Sequence, residues 1–268
     1  MRVPPFRPAT ALLLATGALA AGACAELDTT PVDGLPGRPL LLDDTGTVGA
    51  GGFELETGLA VDHRFDSWVT QTTFNFGPAE NTDLFAQWLP YVRIDPTGAE
   101  GPGNLFAGVR HRFVDETETT PAVLGAVAGL FPTGEPVVRS YDDPGVFAEI
   151  ALTKSVAGIA FHPVYQVFAV PEPGEEAWTY THAFGAAAGA PLGESLFAFA
   201  DVASFVTPKF DREQLFVQLG GGWFVAENLT LDFGVIAGFG DDAQDWGAQV
   251  GFTWAPFQGA RTPPGSRR

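Results

Sequence analysis

Charged residues set among alternating apolar ones are where this chain could act on another molecule. Arg110 and Arg112 stand two apart, with Leu105, Ala107, Val109, His111 and Phe113 on the other parity. Residues two apart in an extended strand share a face, so both guanidinium groups look the same way. Glu54, Glu56, Glu149 and Asp232 hold the matching parity in other extended stretches. Such charges, meeting across a narrow passage, either pair and plug it or line a constriction that selects solutes. Both outcomes use the same residues.

Catalysis needs a nucleophile beside a base. The histidines are His63, His111, His162 and His182; no G-x-S-x-G and no His-x-Ser pair accompanies them, and Ser155, Ser195 and Ser204 have no histidine partner nearby in sequence. The reading is therefore of no catalytic residues, no cofactor and no enzyme. No metal-ligand spacing occurs either, and the only cysteine is Cys24. The loop acids Asp142, Asp143, Glu175, Glu176, Asp241 and Asp242 offer oxygen ligands for Ca²⁺ or for divalent bridging to lipopolysaccharide, but read more simply as solvated, self-repelling loops. Asp and Glu number 32 against 14 Lys and Arg, a net charge of −18 that repels nucleic-acid phosphates.

The elements that must position these residues are strands. Residues 215–254 contain three of them. Leu215, Val217, Leu219, Gly221 and Trp223 oppose Gln218, Gly220 and Gly222; Leu229, Leu231, Phe233 and Val235 oppose Thr230, Asp232 and Gly234. Trp246, Ala248, Val250, Phe252 and Trp254 oppose Gly247, Gln249, Gly251 and Thr253. A soluble sandwich would bury the apolar parity, yet the glycines and small polar groups opposite are too slight to coat a soluble surface. They suit a wet lumen, with the apolar side facing lipid.

The same period recurs at 53–62, 68–76, 84–92, 105–113, 122–131, 146–153, 159–169, 178–188 and 196–206. With the closing three this predicts a transmembrane antiparallel up-and-down β-barrel of about twelve strands. Pro90 requires a local bulge in the third. Links at 78–82, 192–196 and 225–229 are short and alike, each with an acid before Asn or Ser, as though one turn were reused on a periplasmic rim. The longer links at 94–103, 132–145, 171–176, 208–213 and 240–245 carry Pro, Gly and acids and read as extracellular. The Pro-rich link after 131 is a candidate to fold inward. Trp68, Trp178 and Trp246 open strands after long loops, whereas Trp223 and Trp254 close strands at the other rim. Two bands of indoles suit the headgroup levels of a membrane.

Outside the barrel, Arg2 and Arg7, the apolar run 9–21 and Ala23-Cys24-Ala25 read as a signal peptide over 1–25, with a lipobox ending at Cys24 as the rival. Residues 26–52 read as an extended N-terminal segment, 53–257 as the barrel and 258–268 as a flexible tail. No stretch after the leader approaches the length of a membrane helix.

Residues 53–58 (FELETG), 88–92 (WLPYV), 101–113 (GPGNLFAGVRHRF), 130–135 (LFPTGE) and 245–252 (DWGAQVGF) occur in the order of a known family. On these motifs the chain resembles the outer-membrane barrel "transporter" family named after the meta-pathway of phenol degradation. The resemblance implies an outer-membrane protein that takes up small aromatic or hydrophobic solutes. The expected partners are outer-membrane lipids and lipopolysaccharide, the barrel-assembly machinery and an unidentified small solute. The rival functions are a closed structural or adhesive barrel, a membrane-embedded hydrolase and a secreted β-sandwich.

Overall fold

The computed structural model describes residues 41–42, 44–63, 67–94, 97–139, 141–172, 177–210, 212–240, 243 and 245–257. The leader and the tail proposed from sequence therefore lie outside the described residues, as do Glu175, Glu176, Asp241 and Asp242.

Fourteen strands run in chain order: β1 (Phe53–Asp62), β2 (Trp68–Ala79), β3 (Thr82–Trp88), β4 (Val92–Ile94), β5 (Ala99–Gly101), β6 (Leu105–Val114), β7 (Ala122–Phe131), β8 (Gly145–Val156), β9 (Ile159–Pro171), β10 (Trp178–Pro191), β11 (Leu196–Thr207), β12 (Arg212–Ala226), β13 (Leu229–Gly240) and β14 (Trp246–Phe257). Sequential long strands pair antiparallel, and β1 pairs with both β2 and β14. The sheet has no free edge, because Leu55 to Asp62 of the first strand meet Trp254 to Gly247 of the last. Setting aside the short β4–β5 hairpin, twelve strands close an antiparallel barrel. Closure satisfies every ladder internally, which a hydrocarbon surround demands.

The outward parity follows the sequence. Leu219, Phe233, Val235 and Val250 are 54–61% exposed, while Gln218, Asp232 and Gly234 on the other parity are buried. Phe74, Phe76, Leu84, Val127, Ile150 and Phe184 continue the exposed apolar surface around the wall. In water such a belt would forfeit about 25 cal/mol for each Å² left wet, so the barrel is built to stand in lipid. No helix among the described residues is long and apolar enough to cross a membrane; the crossing is made by strands.

Two local expectations need correction. The third strand is not continuous over 84–92. It stops at Trp88, bulges through Leu89-Pro90-Tyr91, and resumes as β4 beside β2. Pro90 has no N–H for a ladder, and the bulge is held instead by Thr70 N donating to Tyr91 O (2.8 Å) and Tyr91 N donating to Thr70 Oγ1 (2.7 Å). The predicted loop 94–103 then contains β5, so this hairpin stands above its neighbours.

The short turns are also less uniform than their sequences. Those after Ala79 and Ala226 share a bulge just before the reversal. The turn at 192–195 instead relies on Gly193 at φ 79°, with Leu192 N donating to Leu196 O. Ala157 (φ 53°) and Gly158 (φ 75°) form a tight left-handed turn that the sequence reading did not single out.

Candidate functional site in the barrel lumen

Alternation along closed strands sends Arg110, Glu149 and Asp232 into the lumen, where all three are buried. Glu54 and Glu56 share the lumen parity of β1 but stay partly exposed, as does Arg112 near the short-turn rim. The bonds these charges make run sideways along the wall. Arg110 Nε pairs with Asp83 Oδ2 at 3.0 Å, its register neighbour on β3, and the Asp83 side chain is 0% exposed. Glu149 Oε2 accepts from Gln166 Nε2 at 2.6 Å, again its register neighbour; Glu54 Oε1 accepts from Asn75 Nδ2 at 3.2 Å. Arg112 donates to Asp115 Oδ1 and Asn81 Oδ1, both at 3.0 Å. Arg110 is thus neutralised within the wall by Asp83, and Glu149 and Glu54 are held there by neutral amides.

The other lumen-facing groups are unequal on the two sides. On β3 and β6–β9 the lumen parity is apolar toward the long-loop end. Phe85, Phe106, Phe147 and Phe168 follow one another around the wall, with ring centroids 5.8, 6.0 and 5.0 Å apart. Leu124, Ala126, Ala128, Leu130, Ala151 and Val164 fill the spaces between them. Every lumen-parity residue of β7 is buried, whereas every residue of β1 is partly exposed. Around β14, β1 and β2 the inward residues are Gln249, Gly251, Glu54, Glu56, Gln71 and Thr73. Glycines on β12 serve packing: a Cβ at Gly220 or Gly222 would overlap the rings of Phe199 and Phe197, which lie across them from β11.

Two segments enter the lumen and cover the apolar wall. The loop after β7 folds inward, as its proline content suggested. Its Gly134 N donates to Asn104 Oδ1 (3.2 Å), Glu135 N donates to Pro102 O (2.8 Å), Val138 is buried, and Tyr141 packs on the phenylalanine-lined cluster. Burial pushes the Tyr141 hydroxyl up to about 12, with a hydrogen bond to the Asn104 side chain pulling the other way.

The second segment comprises residues 41–42 and 44–50, within the N-terminal stretch 26–52 expected to be extended. It runs inside the barrel from Leu41 at mid-wall to the short-turn rim, where Thr47 Oγ1 donates to Glu80 O (3.3 Å) and Arg112 Nη1 donates to Thr45 O (3.5 Å). Val48 N donates to both carboxylate oxygens of Asp83 (3.2 Å each), so Asp83 ties the segment to Arg110. Thr45 Oγ1 donates to Thr153 Oγ1 (2.7 Å), which in turn bonds His162 Nδ1 (2.8 Å). Leu41 N donates to Asp201 Oδ2 (3.0 Å), and Leu42 packs on the phenylalanine-lined cluster. Leu42 also fills the space over Gly185, where a Cβ would overlap it.

Two further histidines bond hydroxyl groups of neighbouring strands. His111 Nδ1 meets Thr82 Oγ1 and His182 Nδ1 meets the Tyr165 hydroxyl, each at 2.8 Å. Ser155 Oγ donates to Glu116 Oε2 at 3.1 Å. No group of three or more His, Cys, Asp or Glu among the described residues could hold a metal ion. The tryptophans stand at strand ends: Trp68, Trp178 and Trp246 are the first residues of β2, β10 and β14, and Trp223 and Trp254 lie near the opposite ends of β12 and β14.

No protein-family model matches the chain, and no curated protein matches it either. Solved structures match it in fold. An outer membrane channel from Pseudomonas putida F1 superposes with a TM-score of 0.55 at 10% identity, over 86% of this chain and 100% of that one. The anion-selective porin from Comamonas acidovorans gives 0.42 at 10% identity, over 69% of this chain and 59% of its own. The chain thus spans about three fifths of that porin's length. The translocator domain of the autotransporter NalP from Neisseria meningitidis gives 0.40 at 15% identity, over 77% and 88%. At these identities the likeness is one of architecture, carried by the P. putida channel: this chain has the fold of an outer-membrane β-barrel.

Proposed function

We propose that this protein is an outer-membrane pore that passes small apolar or aromatic solutes. The observation that carries the reading is the row of Phe85, Phe106, Phe147 and Phe168 inside a barrel whose exterior is already apolar. A purely structural barrel of this size needs only side chains that fill its interior. An aromatic wall opposite a partly exposed polar one gives an apolar molecule a surface to slide along and water a path beside it. The resemblance to the phenol meta-pathway family supports the same solute class. In this reading Glu54, Glu56, Glu149, Asp232, Arg110 and Arg112 set the electrostatic profile of the polar path. The tryptophans seat the barrel at the headgroups of outer-membrane lipid and lipopolysaccharide, after export by a cleaved leader and insertion by the barrel-assembly machinery.

Single-channel recording in planar bilayers, with liposome uptake of toluene, tests the pore. Conductance together with uptake slowed in Phe106→Ala/Phe147→Ala supports it; uptake no faster than through protein-free lipid overturns it. The second reading, a closed structural barrel, draws on the inward segments and on charges already held within the wall. It predicts silence in the same recording.

A further inference from the structure

We infer that the inward segment carrying Leu41, Leu42, Thr45 and Val48 is a releasable plug, and that an apolar solute releases it by competing with Leu42 for the phenylalanine-lined wall. The inference rests on the pore reading and adds its regulation.

The segment is seated in a way that suits release. It is tied at stations spaced along the barrel: Val48 on Asp83, Thr47 on the Glu80 carbonyl, Thr45 on Thr153 and Arg112, and Leu41 on Asp201. Away from Asp83 each tie is an isolated hydrogen bond that departure into a wet lumen exchanges for a bond to water at modest net change. Apart from an isolated bridge at Ala50, none of the segment's described residues pairs with the sheet, so its departure breaks no ladder between barrel strands. Leu42 is the one large apolar side chain of the segment that packs on the cluster, and it does so where a solute would have to slide. The plug thus carries a built-in stand-in for the solute. A small aromatic molecule that takes the place of Leu42 offsets the apolar burial the plug loses, and the remaining polar ties are left to exchange with water. Gly185 fits this account: any side chain there would evict Leu42, and the glycine keeps the seat open.

The test uses a reversible lock. Thr45 and Thr153 touch through their hydroxyls, and the sole cysteine of the chain is Cys24, within the expected leader. The full chain carrying Thr45→Cys/Thr153→Cys, with Cys24→Ser, is oxidised and recorded in planar bilayers with and without toluene, then reduced and recorded again. The expected result is that toluene raises open probability roughly tenfold in the reduced protein and leaves the oxidised protein unmoved. Leu42→Ala, without the lock, should reproduce a rise of that order in the absence of toluene. Equal conductance in oxidised and reduced protein overturns the plug while leaving the pore standing. Conductance that follows the lock but ignores toluene overturns release by solute. Silence in every state, Leu42→Ala included, overturns both plug and pore.

Discussion

The two sides of the lumen wall are made by the same alternation yet come out as opposites. On β7 the inward residues Ala122, Leu124, Ala126, Ala128 and Leu130 are all buried beneath other groups, including Leu42 and Tyr141. On β1 the inward residues Glu54, Glu56, Gly58, Ala60 and Asp62 all keep some exposure. Their outward faces, by contrast, are made to one rule: Val127 and Val235, from opposite sides of the barrel, are 57% and 56% exposed. Lipid dictates the outside uniformly, while the inside is free to be dry on one flank and wet on the other. That freedom is what a selective barrel needs.

The largest way to break this contrast is to hollow the dry side. Phe147→Ala should cost about 3–5 kcal/mol in urea unfolding from liposomes, because Phe147 is buried between Phe106 and Phe168. Glu56→Ala on the wet side, which opens no cavity in a packed cluster, should cost clearly less. Equal costs would erase the distinction.

Charge sharpens it next. Arg110→Ala strands the fully buried carboxylate of Asp83 and should cost about 3 kcal/mol by the same assay, with Arg110→Met/Asp83→Leu recovering most of the loss. Arg112→Ala, whose partner Asp115 is exposed, should cost no more than about 1 kcal/mol.

A smaller effect is expected at Gly220→Ala, which pushes a methyl against the Phe233 carbonyl oxygen and the Phe199 ring: about 1–3 kcal/mol, with Phe199→Leu relieving only the ring's share. The gentlest probe is pH. Tyr141 holds its proton to about 12 when packed, against 10 when free, so the packed loop binds the proton more tightly. Its contribution is therefore complete below pH 10 and drains away as pH rises toward 12. Tyr141→Phe should remove that pH dependence from the protease sensitivity of the loop; a loop that loosens identically in both would assign the change to another group.

How much of this was legible in the sequence follows from who sets each feature. The outward parity of β12–β14 was plain, since Leu219, Phe233 and Val250 alternate with Gln218, Gly234 and Gln249. β7 hid its inner face because AVLGAVAGLF is small or apolar on both parities, so a period of two says nothing about which side is which. The plug was invisible for another reason. Two of its stations use the backbone N–H of Leu41 and Val48, which every non-proline residue has, and the pairings span far-apart positions. The lateral pairing of Arg110 with Asp83 depended on the register of β3 against β6, strands separated in sequence by the β4–β5 hairpin, and a period of two along one strand carries no register. The shared parity of the candidate charges was legible along each strand; their partners, set by register between strands, were not.

The account stands on the apolar parity facing lipid. Nitroxide labels placed one at a time along 230–236 of β13, in liposomes, measure this directly through collision with dissolved oxygen and with a water-soluble nickel chelate. Labels at 231, 233 and 235 should favour oxygen, and those at 230, 232, 234 and 236 should not, in strict alternation. Absence of alternation, or oxygen preference on the even positions, would contradict it.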